Sequence, residues 1–491
     1  MNPQNSISRK IAGNLAALSG GVTLGRAFGL VWLPYLTRRL DPSDLGIYIL
    51  VGAIGAVLTT GAQWGSGAAA VRLFSAQDKN RTGLLAALFQ VRLAGAALLC
   101  IGLTATWWLT GHDRVLPWLL LLATPGMAAD MLRTPLNSWQ LAHDRPLSSI
   151  ALDGSVQFAT RLAGVVALEL GAGLGGLIGT MAAIRVLALP VAGWLWWSSG
   201  TRPSLRHGRE HLARFLRFSA PFGVVAALLT VDARIDLFML SLIPGQLGGI
   251  NVPMATATGL YAVPLRIIGA VLLPLEPLRA ALVPTLVRLV KEDRSRAGRL
   301  YVWVSRVITG ACAVPALIGL GSLAPIALRL AAPESFHSAL PTLQVLCFAL
   351  VFRISRIPSA AAASVHTRPS YLVAPAAATL VSNVLLNLVL IPVASHLGAA
   401  IATALASAIG YAVYRNVALR VVRPAAGTDG ASFRLVLLAT AVTGIVFVVR
   451  PAILAFFVAG SIYTVGVFRS RLLRRDDFQR LRALTRSSSD A

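Results

Sequence analysis

Charge is scarce in this sequence and negative charge scarcer still: of 491 residues 13% are charged, with 19 acidic side chains against 44 basic ones. A chain so poor in polar groups cannot cover a soluble fold of this length. Its mean hydropathy of +0.71 and 56% hydrophobic content place it in the membrane class before any motif is read. Cysteine is nearly absent as well. Cys100, Cys312 and Cys347 lie far apart inside apolar runs, with no His or second Cys at ligand spacing, which speaks against a disulfide framework or a thiolate metal site and leaves them as small buried thiols. No Walker-type phosphate loop occurs, and the longest expected outer loop, residues 244–255, is short and uncharged. A catalytic domain on that side has nowhere to go.

What the chain does contain is apolar runs of eighteen residues or more, each long enough to cross a hydrocarbon layer about 30 Å thick. Spans are expected near 11–36, 44–68, 83–110, 115–141, 147–168, 173–197, 212–242, 255–287, 300–328, 338–362, 370–393, 397–418, 434–449 and 451–468. The first follows only Arg9 and Lys10, but it is too long for a signal-peptide core and no small-x-small cleavage site precedes a soluble domain.

A net charge of +25 would point to nucleic acid in a soluble protein. Here the basic residues report orientation instead, and no nucleic-acid partner is expected. With the N-terminus in the cytoplasm, 28 of the 44 basic residues fall on cytoplasmic segments and 5 on the outer side, the other 11 lying within spans. Both ends are therefore expected in the cytoplasm. The tail, with seven arginines from Arg469 to Arg486, reads as an anchor for anionic lipid headgroups.

Two parts of the chain echo each other. Gly46-Ile47-Tyr48 matches Gly259-Leu260-Tyr261 at an offset of 213, while Arg145-Pro146 matches Arg368-Pro369, and Leu174-Gly175, Ile178 and Thr180 match Leu397-Gly398, Ile401 and Thr403, at an offset of 223. The matches keep their order, so a six-span unit is repeated. An even number of spans makes the repeats parallel, with the substrate route at their interface. The expected organisation is a six-helix lobe over 1–200, a basic cytoplasmic linker over 201–211, a second lobe over 212–420, two further spans over 421–468 and a basic tail over 469–491.

Three segments carry a resemblance that covers essentially the whole chain: LGRAFGLVWLPYLTRRLDPSDLGIYIL within Gly20–Arg72; FSAPFG, IDLFMLS, GLYAVPLRI and ALVPTLVR within Arg217–Arg288; and NLVLIP with LGAAIAT within Asn383–Thr403. They resemble the polysaccharide (Wzx-type) flippases of the multidrug/oligosaccharidyl-lipid/polysaccharide (MOP) exporter superfamily. The resemblance implies an all-α polytopic membrane protein with about fourteen transmembrane helices in two six-helix lobes plus two C-terminal helices, working by alternating access in the bacterial inner membrane. It implies a polyprenyl-diphosphate-linked oligosaccharide as substrate, no cofactor beyond a coupling proton or sodium ion, and a polysaccharide polymerase and assembly proteins as partners. Related lipid II flippases carry an Arg-x-x-Gly pattern, matched by Arg26 and Gly29, but their further cationic position holds Trp32 here, which argues against lipid II.

Charges inside spans are costly and so mark candidate sites. A diphosphate needs fixed cations, and arginine offers a planar bidentate fork that stays protonated. Arg26 and Arg266 sit near the start of each lobe, and Arg353 and Arg356, three apart on one helical face, form a second candidate patch. The bland reading of all four is pairing with carboxylates or snorkelling. Asp232 and Asp236, four apart, are expected to share a helical face and to suit a proton or sodium site, because neighbouring carboxylates resist joint ionisation; Asp236 occupies the family's position in IDLFMLS. Structural pairing with arginines is the alternative. Asn383 and Asn387, one turn apart, are candidate sugar contacts or packing glue. Pro274 and Pro277 lie in a proline cluster that bends the eighth span and are candidate hinge residues.

A multidrug or cation-coupled exporter of the same superfamily is the nearer alternative, but it would favour an acidic pocket, whereas the spans hold eleven basic against five acidic residues. A membrane-embedded glycan polymerase or glycosyltransferase is the remote one. Its only nearby carboxylate pair would be Asp41 and Asp44, and DPSD reads more simply as a turn and helix cap. The chain is read as a transporter, without a catalytic site.

Overall fold

The computed structural model describes residues 29, 31–75, 81–110, 115–142, 147–198, 209–365, 370–424, 434–435, 438 and 452–469. They are almost entirely helical. Among them nine helices are long and apolar enough to cross a membrane, the stretch Val373–Val422 counting as one. Exposed apolar side chains such as Leu98, Trp194, Val389 and Val393 cover the outside of these helices, where hydrocarbon rather than water accommodates them. The protein is a multi-pass membrane protein.

The chain divides into unit 1, Met1–Arg234, and unit 2, Ile235–Ala491. Unit 1 contains α1 (residues 31–39), α2 (Pro42–Gln63), α3 (Ser66–Ser75), α4 (Arg81–Thr110), α5 (Val115–Arg133), α6 (Pro135–Ala142), α7 (Leu147–Glu169), α8 (Gly173–Ser198) and α9 (Arg209–Asp232). The DPSD segment caps α2: the Asp41 carboxylate accepts the Asp44 N–H at 2.7 Å, and Pro42 fills the first turn, where its missing N–H costs nothing. The helix stops at Trp64, which takes a left-handed conformation with Gly65 after it. Gly65 is required twice over, since its φ is +64° and a Cβ there would fall 2.2 Å from the Gly223 nitrogen of α9.

Helices in lipid gain little from apolar association, so packing and polar contacts hold them. In unit 1, Val51, Leu99, Leu119, Met127 and Met131 interlock α2, α4 and α5, and Phe74, Leu85, Leu88, Leu136 and Phe215 pack α3, α4, α6 and α9. Buried Arg133 pairs with Asp130 at 3.1 Å and with Asp153, and Arg185 reaches Asp130 at 3.5 Å. The Asp130–Arg133 pair is the local one its spacing suggests.

The structure corrects one of the expected spans. The seventh span, placed in the second lobe by its position after the basic linker, is interrupted at Ala233–Arg234. Its long first part, α9, packs on α2, α3 and α4 within unit 1. Residues 201–208 lie outside the described residues, as do the expected span 434–449 for the most part and the tail beyond Arg469.

Unit 2 opens with α10 (Ile235–Leu242) and a hairpin of β1 (Gly245–Leu247) and β2 (Ile250–Val252). The hairpin is antiparallel, with Gly248 and Gly249 at positive φ in its two-residue turn. Then follow α11 (Met254–Leu272), a 3-10 turn over Leu273–Leu275, α12 (Glu276–Glu292), α13 (Arg294–Ile308), a π turn over Thr309–Ala313, α14 (Val314–Ser322), α15 (Ala324–Ala331), α16 (Leu340–Ala363), α17 (Ser370–Val422) and α18 (Ala452–Arg469). At the proline cluster the helix is interrupted by a 3-10 turn: Pro274 sits in that turn and Pro277 in the first turn of α12. The two expected spans 370–393 and 397–418 are the halves of α17, separated at Ser395, whose φ of 45° and ψ of −129° are not helical. α16 is the central helix of the unit, largely buried and packed along α17, α11 and α12.

Candidate functional site

A carboxylate buried in a membrane helix must be bonded, neutralised or both. Asp236 lies in the first turn of α10, 3% exposed, where the positive end of a short helix favours its charge. Both its oxygens are fully engaged. Oδ1 accepts the side-chain amides of Asn383 at 2.9 Å and Asn387 at 2.8 Å, and Oδ2 accepts the Tyr261 hydroxyl at 2.8 Å and the Thr403 hydroxyl at 2.9 Å. Asn387 also donates to the Asn383 Oδ1 at 3.2 Å.

The local sequence explains how three elements converge. Asn383 and Asn387 are one turn apart on the first half of α17, so both amides face α10. Thr403 comes from the second half, beyond the break at Ser395, which folds the chain back. At that break Gly398 is obligatory, because a Cβ would fall 2.1 Å from the Leu390 carbonyl oxygen. Tyr261 points from the buried face of α11, 0% exposed.

Counting protons shows what this cluster lacks. The Tyr261 and Thr403 hydroxyls are 2.9 Å from each other as well as from Asp236 Oδ2. Three oxygens at mutual hydrogen-bond distance make three contacts, but two hydroxyls supply two hydrogens. An ionised Asp236 therefore leaves one contact without a proton. A proton on the carboxyl completes the ring. So does a cation among the oxygens, since a half-turn of either Asn amide exchanges its donor for an oxygen ligand, and hard cations take oxygen ligands. Asn387 Oδ1 is already buried without a partner. Among the described residues no arginine or lysine forms an ion pair with Asp236.

The expected site residues are distributed as follows. Asp236, Asn383 and Asn387 come together. Asp232 does not join them: it ends α9, the helix breaks at Ala233–Arg234, and the shared helical face expected of the two carboxylates does not exist. Asn383 and Asn387, 3% and 0% exposed, spend their amides on Asp236 and are not open to a sugar. Arg266 is exposed on α11, on the side of the helix away from Tyr261, and makes no hydrogen bond or ion pair among the described residues. Arg353 and Arg356 are half-buried on α16, and the Arg356 guanidinium lies over the Tyr414 ring at 5.4 Å. Arg26 lies outside the described residues. Tyr261 and Thr403 were not among the expected site residues. Their signal was in the motifs, as the polar ends of GLY and LGAAIAT in otherwise apolar segments.

A family model described as "Polysaccharide biosynthesis protein" matches residues 11–290. The fold is similar to that of the lipid II flippase MurJ in an inward closed conformation, at 13% identity over 93% of this chain and 99% of that one, with a TM-score of 0.68. It is similar to an outward-facing multidrug resistance MATE family transporter of the MOP superfamily, at 14% identity over 84% and 95% with a TM-score of 0.62. A MOP superfamily transporter from Pyrococcus furiosus is also similar, at 14% identity over 84% and 95% with a TM-score of 0.63. At such identities the likeness is one of fold, and the fold is the MOP type expected from the motifs. No curated protein matches the chain.

Proposed function

This chain belongs to the polysaccharide biosynthesis protein family, and on that premise we propose that it is a flippase carrying a polyprenyl-diphosphate-linked oligosaccharide from the cytoplasmic to the outer leaflet of the bacterial inner membrane. Both termini are cytoplasmic in this reading. Transport proceeds by alternating access and is coupled to a proton or sodium ion taken up at Asp236. The observation that carries the coupling is the ring of Tyr261, Thr403 and Asp236, one proton short when the carboxylate is ionised.

The ion is a co-substrate here. Binding it neutralises a charge that the hydrocarbon interior disfavours and completes the bonding that seats α10 against α11 and α17. Losing it leaves a bare carboxylate and an incomplete ring. Asp236 is the second residue of unit 2, so the ion site lies at the start of that unit.

The diphosphate is held by arginine. Arg266 supports this reading best, being exposed and uncommitted among the described residues; Arg353, Arg356 and Arg26 are the further candidates. Asn383 and Asn387 belong to the ion site. A drug exporter of the same fold is the reading that failure of the test would favour, and the basic excess within the spans opposes it.

The test is the lipid-linked saccharide pool of the native host after deletion of this gene, with rescue by wild type and by an Arg26→Ala plus Arg266→Ala variant. The expected result is accumulated lipid-linked oligosaccharide and lost surface glycan, restored by wild type alone. Unchanged pools and unchanged surface glycan overturn the proposal.

A further inference from the structure

The charged network of unit 1 is only partly committed. Arg185 stands near the middle of α8 (Gly173–Ser198), on the helix face that carries the buried Ile178, Ala182 and Ala192. The exposed apolar stripe of α8 includes Leu187 and Trp194, and at 3.6 residues per turn both fall about half a turn from Arg185. Arg185 nevertheless keeps 33% of its side chain accessible. A charge exposed at that depth, on the face turned away from the apolar stripe, meets an internal aqueous space, because hydrocarbon disfavours it. Gly126 lets its stem lie against α5: a Cβ there would come 3.2 Å from Arg185 Cδ and 2.8 Å from Ala182 Cα.

The partners of Arg185 leave most of its donors free. Among the described residues its one ion-pair partner is Asp130, at 3.5 Å, longer than the roughly 2.7–2.9 Å of a well-made charge-assisted bond. Asp130 is itself 34% exposed. From there the network continues through Arg133, which meets Asp130 at 3.1 Å and also pairs with Asp153; Asp153 accepts the Asn137 amide at 2.6 Å. One turn from Arg185 on the same face, the Met181 sulfur takes the half-buried Tyr48 hydroxyl at 3.8 Å. Thioether sulfur is a weak acceptor, so that hydroxyl is available to a better one.

Two arginines and two aspartates balance each other in this network, so it favours neither a cation nor an anion. It suits a hydroxyl group, which both donates and accepts: a carboxylate takes its hydrogen while a guanidinium donates to its oxygen. Adjacent hydroxyls on a sugar ring repeat that pattern. We propose that Arg185, Asp130 and Tyr48 form a saccharide-binding strip in unit 1 that receives the sugar portion of the lipid-linked substrate. The strip presupposes the flippase reading and takes the role that Asn383 and Asn387, engaged with Asp236, do not fill. A diphosphate is not held here, since beside Arg185 it would meet the Asp130 carboxylate as well.

The experiment measures the binding of two probes to the purified full-length chain in detergent: lipid-linked oligosaccharide extracted from the native host, and polyprenyl diphosphate without sugar. Wild type is expected to bind the sugar-bearing probe more tightly, by about tenfold or more, as charge-assisted hydrogen bonds to hydroxyls allow. Arg185→Gln is expected to lose most of that preference while binding polyprenyl diphosphate as wild type does, and to keep the wild-type melting temperature. Tyr48→Phe is expected to reduce the preference by about fivefold, as for one neutral hydrogen bond, and it decides should Arg185→Gln fail to fold. Equal binding of the two probes by wild type overturns the strip and leaves the flippase reading standing; binding of neither overturns both. An unchanged preference in the variants, or an equal loss of affinity for both probes in Arg185→Gln, which would make Arg185 a diphosphate contact, also overturns the proposal.

Discussion

At the residue scale, Asp236 can be replaced in two ways that separate bonding from charge. Asn retains a carbonyl and adds hydrogens of its own, so Asp236→Asn is predicted to keep the fold, with a melting temperature within a few degrees of wild type, while losing ion-dependent transport. Asp236→Leu strands four buried partners and is predicted to destabilise, at about 1–3 kcal/mol for each unsatisfied group. Similar stability losses in the two variants would show that the cluster is not bonded as described. Tyr261→Phe removes one hydrogen from the ring without opening a cavity. It is predicted to cost about 1 kcal/mol and to weaken ion dependence, measured as the ion concentration giving half-maximal transport. At this scale the sequence marked polar residues in apolar runs correctly but could not assign partners. Asn383 and Asn387 were legible as a pair on one face, yet only the folded chain shows that the face meets a carboxylate 147 residues away. Asp232 was misread because Ala233–Arg234 contains neither Gly nor Pro to announce a break.

At the scale of the element, this fold depends on interruptions: Trp64–Gly65, Ala233–Arg234 and the 3-10 turn at Leu273–Leu275 each divide a span, and Ser395 separates two. Backbone groups freed within a membrane need new partners, so such breaks are kept where protein covers them. The turn at 273–275 was legible from its prolines. The break at Ser395 was legible only as a dip between two apolar runs. Replacing Pro274 and Pro277 together by Ala is predicted to leave folding intact and slow transport, because a straightened α11–α12 segment loses its pivot; equal rates would remove the hinge. Gly398→Ala is predicted to destabilise by about 1–3 kcal/mol, since its Cβ has no room beside the Leu390 carbonyl. Gly175, its counterpart in the repeat, has open space around it and should tolerate Ala with no measurable change in melting temperature.

For the molecule as a whole, the internal repeat read from the sequence identifies matching contacts with different chemistry. Tyr48 of α2 touches Met181 of α8 at 3.8 Å, and neighbouring Thr180 bonds back to its own helix at Gly176. The matching Tyr261 and Thr403 instead meet each other and Asp236. A shared architecture has thus acquired a polar centre in unit 2 that these positions do not build in unit 1. Fold class was legible because apolar length and motif order survive divergence, whereas the packing of α9 on α2, α3 and α4 was not, because it depends on tertiary neighbours. The central claim is ion-coupled movement of a lipid-linked saccharide. Its most direct test is reconstitution of the full chain in liposomes containing a polyprenyl-diphosphate-linked oligosaccharide, following saccharide exposure on the far leaflet under an imposed sodium or proton gradient, for wild type and Asp236→Asn. The account predicts gradient-driven translocation by wild type that Asp236→Asn no longer shows; far-leaflet exposure no greater than in protein-free liposomes under either gradient would contradict it.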